Sequence, residues 1–157
     1  MPFIFSYSHY DTVSGDSILI ENRIGLLDRK LRVVSENTND VEEWLIWMIR
    51  AIQSIYGYEF QGDNLLLARK NIFLSVTEYF KEKFYFDLPK GFLHEVAEII
   101  AWNLWQMDGL TNAIPYYDPP KNDFVQSSLF EPKNVYCRIK DWQADEVLEY
   151  RSLMKGA

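Results

Sequence analysis

The stretch Ile55-Tyr56-Gly57-Tyr58-Glu59-Phe60-Gln61-Gly62-Asp63-Asn64, followed by Leu65 to Ile72, decides the fold of this chain. Its first half, from Ile55 to Phe60, is aromatic and β-branched, which favours a half-buried strand. The following Gly62-Asp63-Asn64 supplies turn and helix-capping chemistry. Apolar residues then recur at helical spacing, namely Leu65, Ala68, Ile72, Val76 and Phe80. The stretch therefore predicts a strand, a tight turn and a helix, with the acid Glu59 at the end of the strand.

The flanking sequence predicts more helices and a terminal hairpin, all within a single domain of residues 1–157. The predicted helices cover Ser17–Ser35, Val41–Ile55 (capped by Asn39, with Glu42 at its third position), Asp63–Lys83 and a stretch that begins near Pro89. The predicted strands are Phe3–Tyr7 and the hairpin Val135–Trp142 with Val147–Leu153. Four prolines predict a loop over 111–134. By periodicity alone, Phe92 to Met107 forms one unbroken helix that Asp108-Gly109 terminates.

Composition narrows the classes of function. The 157-residue chain carries a net charge of −7, so it is not expected to hold duplex DNA by itself, because such binding depends on Lys and Arg contacts to phosphate. A basic protein partner fits this charge better. The single cysteine, Cys137, excludes an internal disulfide, indicates a buried structural thiol and fits a cytoplasmic location.

Several other classes of site or segment find no support in the sequence. The first residues lack a basic signal-peptide region, and no run of 18 uncharged apolar residues predicts a membrane span. The pair His94 and Glu98 has helical i, i+4 spacing, but two ligands do not make a metal site, so no metal is expected and His94 is assigned to the surface. The tryptophan pairs Trp44/Trp47 and Trp102/Trp105 are spaced by three, which predicts that each pair shares one helical face in a core or an interface.

Residues 12–110 resemble class I S-adenosylmethionine-dependent DNA methyltransferases, in particular the adenine-specific modification subunits of bacterial restriction systems. In that family the second strand ends in an acid that holds the cofactor ribose, and Glu59 matches it. The third strand ends near the cofactor adenine amine in an aspartate, which Asp108 matches at the end of Asn103 to Leu110. Leu26 to Leu31 resembles the helix after the first strand. The resemblance implies an α/β fold, an incomplete and helix-rich Rossmann-like methyltransferase core, with S-adenosylmethionine as its cofactor.

The chain departs from this family at its other two motifs. The glycine-rich loop that approaches the methionine end of the cofactor is replaced by Thr12 to Ile18, in which only Gly15 is a glycine. The catalytic Asn/Asp-Pro-Pro-Tyr/Phe motif has its nearest match in Asp118-Pro119-Pro120, which is followed by Lys121 rather than an aromatic residue. A target-recognition segment is absent. These departures predict a partial or degenerate methyltransferase that does not transfer methyl groups on its own. Any retained activity would use Glu59, Asp108 and Gly15 for the cofactor, and Asp118, Pro119 and Pro120 for the base.

Two other interpretations need no cofactor, since Glu59 and Asp108 can also be ordinary solvated acids. One is an acidic, non-enzymatic interaction protein, such as a phage-type inhibitor of a nucleic-acid-directed defence enzyme, with carboxylates in place of phosphates. The other is a scaffold subunit that completes a partner methyltransferase and exposes an apolar patch around Trp44 and Trp47. All three interpretations involve a protein partner.

Overall fold

The computed structural model describes residues 11, 13–16, 18–117 and 135–154, which form a mixed α/β arrangement of helices and two small sheets. A 3-10 turn at Ile20–Asn22 precedes the first helix. The elements are α1 (Leu26–Asn37), α2 (Val41–Gln53), β1 (Gly57–Glu59), α3 (Gly62–Phe84), α4 (Lys90–Asn103), β2 (Leu104–Gln106), β3 (Arg138–Asp141), β4 (Glu146–Glu149) and α5 (Tyr150–Leu153). The strand predicted at Phe3–Tyr7 lies outside the described residues.

The main core lies where the apolar faces of α1 to α4 meet. Its fully buried side chains include Leu27, Trp44, Met48, Ile72, Phe80 and Val96. The rings of Trp44 and Phe80 pack edge to face at 5.3 Å between centroids. Each buried side chain of this size contributes about 1.5–3 kcal/mol by leaving water. The helical periodicity of α3 therefore identified buried members of this core, among them Ile72, Val76 and Phe80.

Strands β1 and β2 pair in parallel, with Gly57, Tyr58 and Glu59 opposite Leu104, Trp105 and Gln106. Parallel neighbours need a long crossover, and here α3 and α4 provide it. The interpretation of Phe92 to Met107 as one unbroken helix is therefore wrong, because α4 ends at Asn103. The strand predicted from the family resemblance is present in part, at Leu104–Gln106. The Arg69 guanidinium supports it by donating to the Leu104 carbonyl at 2.6 and 3.1 Å.

The predicted hairpin near the C-terminus is confirmed as the antiparallel pair β3–β4. Its turn is closed by Asp141, whose carboxylate accepts the backbone N–H groups of Gln143 at 2.8 Å and Ala144 at 3.1 Å. The second strand is shorter than predicted, because β4 ends at Glu149 and a helical turn follows.

The hairpin is tied to the helices through Asn103, which is 1% exposed. Its amide donates to the carbonyls of Ile52 at 2.9 Å and Gln53 at 3.1 Å, at the end of α2. Its side-chain oxygen accepts the indole N–H of Trp142 at 2.6 Å. One side chain therefore joins α2, α4 and the hairpin.

The first predicted helix, Ser17–Ser35, is wrong in its N-terminal half, since α1 begins at Leu26. Guanidinium groups satisfy the non-helical carbonyls of this segment: Arg23 donates to Ile18 at 3.0 Å, and Arg32 donates to Glu21 at 3.0 Å. Buried Arg23 also forms an ion pair with Glu78 of α3. Tertiary hydrogen bonds of this kind replace a helical ladder that spacing alone predicts.

Two finer predictions about α2 and the tryptophans are also wrong. Asp40, rather than Asn39, caps α2, because its carboxylate accepts the Glu43 N–H at 2.9 Å. Trp44 is fully buried, whereas Trp47 is 48% exposed with the Arg50 guanidinium 4.9 Å above its ring. The second pair is divided between elements, Trp102 in α4 and Trp105 in β2. No helix in the described ranges is both long and apolar enough to cross a membrane.

Candidate functional site

The two acids singled out from the sequence, Glu59 and Asp108, lie after neighbouring parallel strands. Glu59 is the last residue of β1, and its carbonyl accepts the Met107 N–H at 3.1 Å. Asp108 follows Met107 directly, two residues after the end of β2. Because β1 and β2 run in parallel, both acids lie at the carboxyl edge of the sheet, where ligands of α/β proteins bind.

The Glu59 carboxylate is oriented by the turn that follows β1. Its Oε1 accepts the backbone N–H of Phe60 at 2.9 Å and of Gln61 at 3.1 Å. Among the described residues no hydrogen bond to Oε2 is present, so this oxygen can accept from a ligand. The half-buried side chain lines a hollow of about 550 Å³. Glu59 therefore presents a fixed acceptor to a cavity large enough for a small molecule.

The Asp108 carboxylate closes a turn of its own. Its Oδ1 accepts the Leu110 N–H and its Oδ2 accepts the Thr111 hydroxyl, both at 2.9 Å. These bonds, the Leu110 N–H first, lower the pKa of Asp108, so the group is charged at neutral pH. Each carboxylate oxygen has a second lone pair and can still accept a ligand donor. Asp108 lines a smaller hollow of about 280 Å³.

The two hollows share one wall, the ring of Phe60. This ring is 41% exposed and meets the ring of Tyr116 edge to face at 5.5 Å. Sequence reasoning did not assign a role to either residue. An aromatic residue directly after a strand-end acid is the signal that identifies Phe60, whereas Tyr116 joins it only through the fold.

A layer of aromatic rings lines the larger hollow. Tyr58, Trp105 and Tyr150 pack with centroids 5.5 to 6.3 Å apart. The Tyr58 ring also lies against Gly109, where an added Cβ would come within 3.0 Å of a ring carbon. Glycine at this position therefore lets the segment after β2 pass close to the ring.

The structure does not bring the remaining predicted site residues to this edge. Gly15, with φ of +75°, lies in an exposed turn whose hydrogen bonds stay within 11–16, and it lines neither hollow. Asp118, Pro119 and Pro120 lie outside the described residues. The described edge therefore holds Glu59 and Asp108 without the residues assigned to the methionine end of the cofactor or to the base.

Other titratable side chains form no candidate metal centre in the described residues. Groups of three or more His, Cys, Asp or Glu that could hold a metal ion are absent there. His94 is exposed, as predicted. Cys137 is buried, as predicted, and burial raises the pKa of its thiol. Its S–H donates to the Gln106 carbonyl at 3.3 Å, so it contacts the strand rather than either hollow.

Comparison with known proteins gives no match, whether to a family model, to a curated protein or to a solved structure. The functional argument therefore depends on the residues of the sheet edge themselves. Those residues offer oriented carboxylate acceptors and an exposed aromatic ring, which can together bind a polar, ring-containing ligand.

Proposed function

We propose that this chain is a degenerate relative of DNA adenine methyltransferases that keeps the nucleoside half of an S-adenosylmethionine site and does not transfer methyl groups on its own. The observation that carries the proposal is the placement of Glu59 and Asp108 at the adjacent carboxyl ends of parallel strands. The resemblance assigns these two residues to the ribose and the adenine amine. Their neighbourhood supports that assignment independently of the family.

The chemistry of the edge fits a nucleoside. A ribose presents two hydroxyl donors, and Glu59 offers an oriented carboxylate to them. An adenine amine is a donor, and Asp108 is a charged acceptor. A planar base needs an apolar surface, and Phe60 lines both hollows with a side chain that is 41% exposed. Three residues of one short edge therefore match three parts of one ligand.

The methionine half of the cofactor has no comparable support. Backbone approach to that half requires a glycine-rich loop at the sheet edge, and Gly15 lies in a turn that lines neither hollow. S-adenosylmethionine would supply an activated methyl group, but the described residues hold no group placed to grip its amino-acid end. The proposed site therefore binds the nucleoside part of the cofactor and does not support methyl transfer.

The test is calorimetric titration of the purified chain with S-adenosylmethionine and, separately, with adenosine. We expect both ligands to bind, with affinities within about threefold, because only the shared nucleoside makes contacts. If the protein also bound the methionine part, S-adenosylmethionine would bind more tightly than adenosine, by tenfold for each 1.4 kcal/mol of added contact.

The variant Glu59→Gln is the sharpest probe of the site. Its amide oxygen can still accept from Phe60 and Gln61, so the turn is kept while the charge and the second acceptor are lost. We expect binding to weaken at least tenfold, since hydrogen bonds to charged groups contribute about 1.5–3 kcal/mol. The matched control is Glu98→Gln on the exposed face of α4, which should bind as the parent does. Absence of heat at millimolar ligand, or equal affinities for Glu59→Gln and Glu98→Gln, would remove the nucleoside site.

A protein-binding role is the second candidate, and the outer face of α2 favours it. Ile46 and Trp47 are each about half exposed on that helix, at 49% and 48%. Trp44 is buried and cannot belong to the patch expected for a scaffold subunit, so this candidate depends on Ile46 and Trp47 alone. Loss of the nucleoside site in the titration would make this face the first place to search for a partner.

A further inference from the structure

A second cleft lies away from the sheet edge, between the end of α2 and the β3–β4 hairpin. Its volume is about 850 Å³, which is within the range of small-molecule sites. It is separated from the hollow at Glu59 by the side chain of Tyr56, which lines both. Neither the family resemblance nor the proposed function assigns a role to this cleft.

The cleft carries cations in a chain of net charge −7. Arg50 lies on its α2 side, where the guanidinium stacks over Trp47 and forms no salt bridge within the described ranges. Lys140 lies on its hairpin side, 2.8 Å from Asp145. Lys30 reaches the rim by donating to Ser54 at 2.6 Å. Arg50 lies in the last turn of α2, near the negative end of the helix dipole, and its guanidinium is available to an anion.

The acids near the cleft are already engaged. Asp141 accepts two backbone N–H groups of the hairpin turn. Asp145 is 83% exposed, so its pairing with Lys140 is weak, and an entering anion can replace it. Lys140 itself is 20% exposed and lies 4.6 Å above the Trp142 ring, which holds its ammonium at the cleft wall.

The rest of the lining suits a planar, polar-edged ring. The floor is apolar, formed by Ile139, Leu148 and Leu153, and Tyr56 adds an aromatic wall. Tyr56 is held in place by its hydroxyl, which donates to the Lys140 carbonyl at 2.8 Å. Two side-chain amides, Gln53 and Gln143, line the cleft, and neither makes a side-chain hydrogen bond within the described part of the chain.

We propose that this cleft binds a nucleotide, either free or as one residue of a single-stranded nucleic acid, with its phosphate on Arg50 and Lys140 and its base against Tyr56. Free amides hydrogen-bond to base edges, and an aromatic wall with nearby cations is the usual platform for an unpaired nucleotide. The net negative charge of the chain opposes binding of long duplexes but not of one phosphate by Arg50 and Lys140.

The experiment titrates the full chain with thymidine 5′-monophosphate, with thymidine, with inorganic phosphate and with a labelled hexathymidylate strand. Calorimetry follows the small ligands, and fluorescence anisotropy follows the strand. Thymidine monophosphate lacks the 2′-hydroxyl, so a ribose-binding carboxylate at Glu59 contributes little, and Glu59→Gln should bind it as the parent does. We expect the monophosphate to bind more tightly than thymidine or phosphate alone. A strand that binds more tightly than the monophosphate identifies nucleic acid as the source, and the reverse identifies a free nucleotide.

Two variants and one control test the assignment. Arg50→Gln should weaken monophosphate binding about tenfold, because one charge-assisted contact is lost. Gln143→Ala, whose truncation leaves the backbone turn intact, should weaken the monophosphate but not inorganic phosphate. Lys90→Gln, an exposed lysine at the start of α4, makes the same charge change elsewhere and should stay within twofold. Phosphate binding as tightly as the monophosphate, equal losses in Arg50→Gln and Lys90→Gln, or no binding of any probe at millimolar concentration would overturn the proposal.

Discussion

Replacing Asn103 by alanine should destabilise the protein by about 3 kcal/mol. The side chain is buried and makes three hydrogen bonds, two to carbonyls at the end of α2 and one from the Trp142 indole. In the variant, the indole N–H and the Gln53 carbonyl lose their partner, at about 1–2 kcal/mol each. The Ile52 carbonyl loses less, since it still accepts the Ile55 N–H at 3.1 Å.

The assay is urea denaturation followed by circular dichroism at 222 nm, together with thermal melting. A loss of 3 kcal/mol lowers the melting temperature of a chain of this size by about 6–12 °C. A double-mutant cycle with Trp142→Phe isolates the bond between the two side chains, and we expect a coupling free energy of about 1–2 kcal/mol. Asn37→Ala, at an exposed asparagine near the end of α1, serves as control and should cost about 0.5 kcal/mol or less. Asn103→Ala within 0.5 kcal/mol of the parent, or additive losses in the cycle, would refute the role of Asn103 as the joint.

Three further predictions follow from a close glycine contact and from the buried thiol. Gly109→Ala should lower the free energy of unfolding by about 1–2 kcal/mol, because its Cβ meets the Tyr58 ring at 3.0 Å. Gly91→Ala should raise it by up to about 1 kcal/mol, because nothing lies within 4 Å of the added Cβ and alanine favours the helix. Thermal melting of both variants tests this difference, and equal shifts in melting temperature would contradict the reasoning. Burial raises the pKa of Cys137, so stability should be constant below the pKa of the unfolded thiol and fall as the pH rises through the raised value. At pH 8 a disulfide reagent should label this sole cysteine slowly in the folded chain and rapidly in denaturant, and fast labelling of the folded chain would count against a buried thiol.

Local sequence patterns correctly predicted the elements whose conformation depends on their own residues. The apolar spacing of α3, the first-turn position after Pro89 and the alternation in the hairpin predicted elements that the structure contains. Periodicity failed at Leu104–Gln106, because a short apolar run fits a helix or a strand equally well and pairing with β1 decides between them. It failed again before Leu26, where the guanidinium groups of Arg23 and Arg32 satisfy the carbonyls of Ile18 and Glu21 in place of a helical ladder.

In the candidate site, too, local features could be predicted from sequence and features that depend on tertiary contacts could not. The acid at the end of β1 can be identified from sequence, since strand, turn and helix are contiguous there. Its partner Asp108 needed a family resemblance, and its aromatic neighbour Tyr116 needed the fold, because neither contact is local. Charge counting also missed the cleft beside Arg50, because a net charge of −7 describes the whole surface and not one part of it.

The parallel pairing of β1 with β2 has a consequence for the order of events during synthesis. Glu59 emerges from the ribosome before all of α3 and α4, and its neighbouring strand emerges only after them. The two halves of the sheet edge therefore cannot meet until both helices have been made, and translation proceeds at about 5–20 residues per second. A nascent chain released before Leu104 would hold the acid of β1 on an unpaired strand, and the sheet edge that carries Glu59 and Asp108 could form only after α4 had been made.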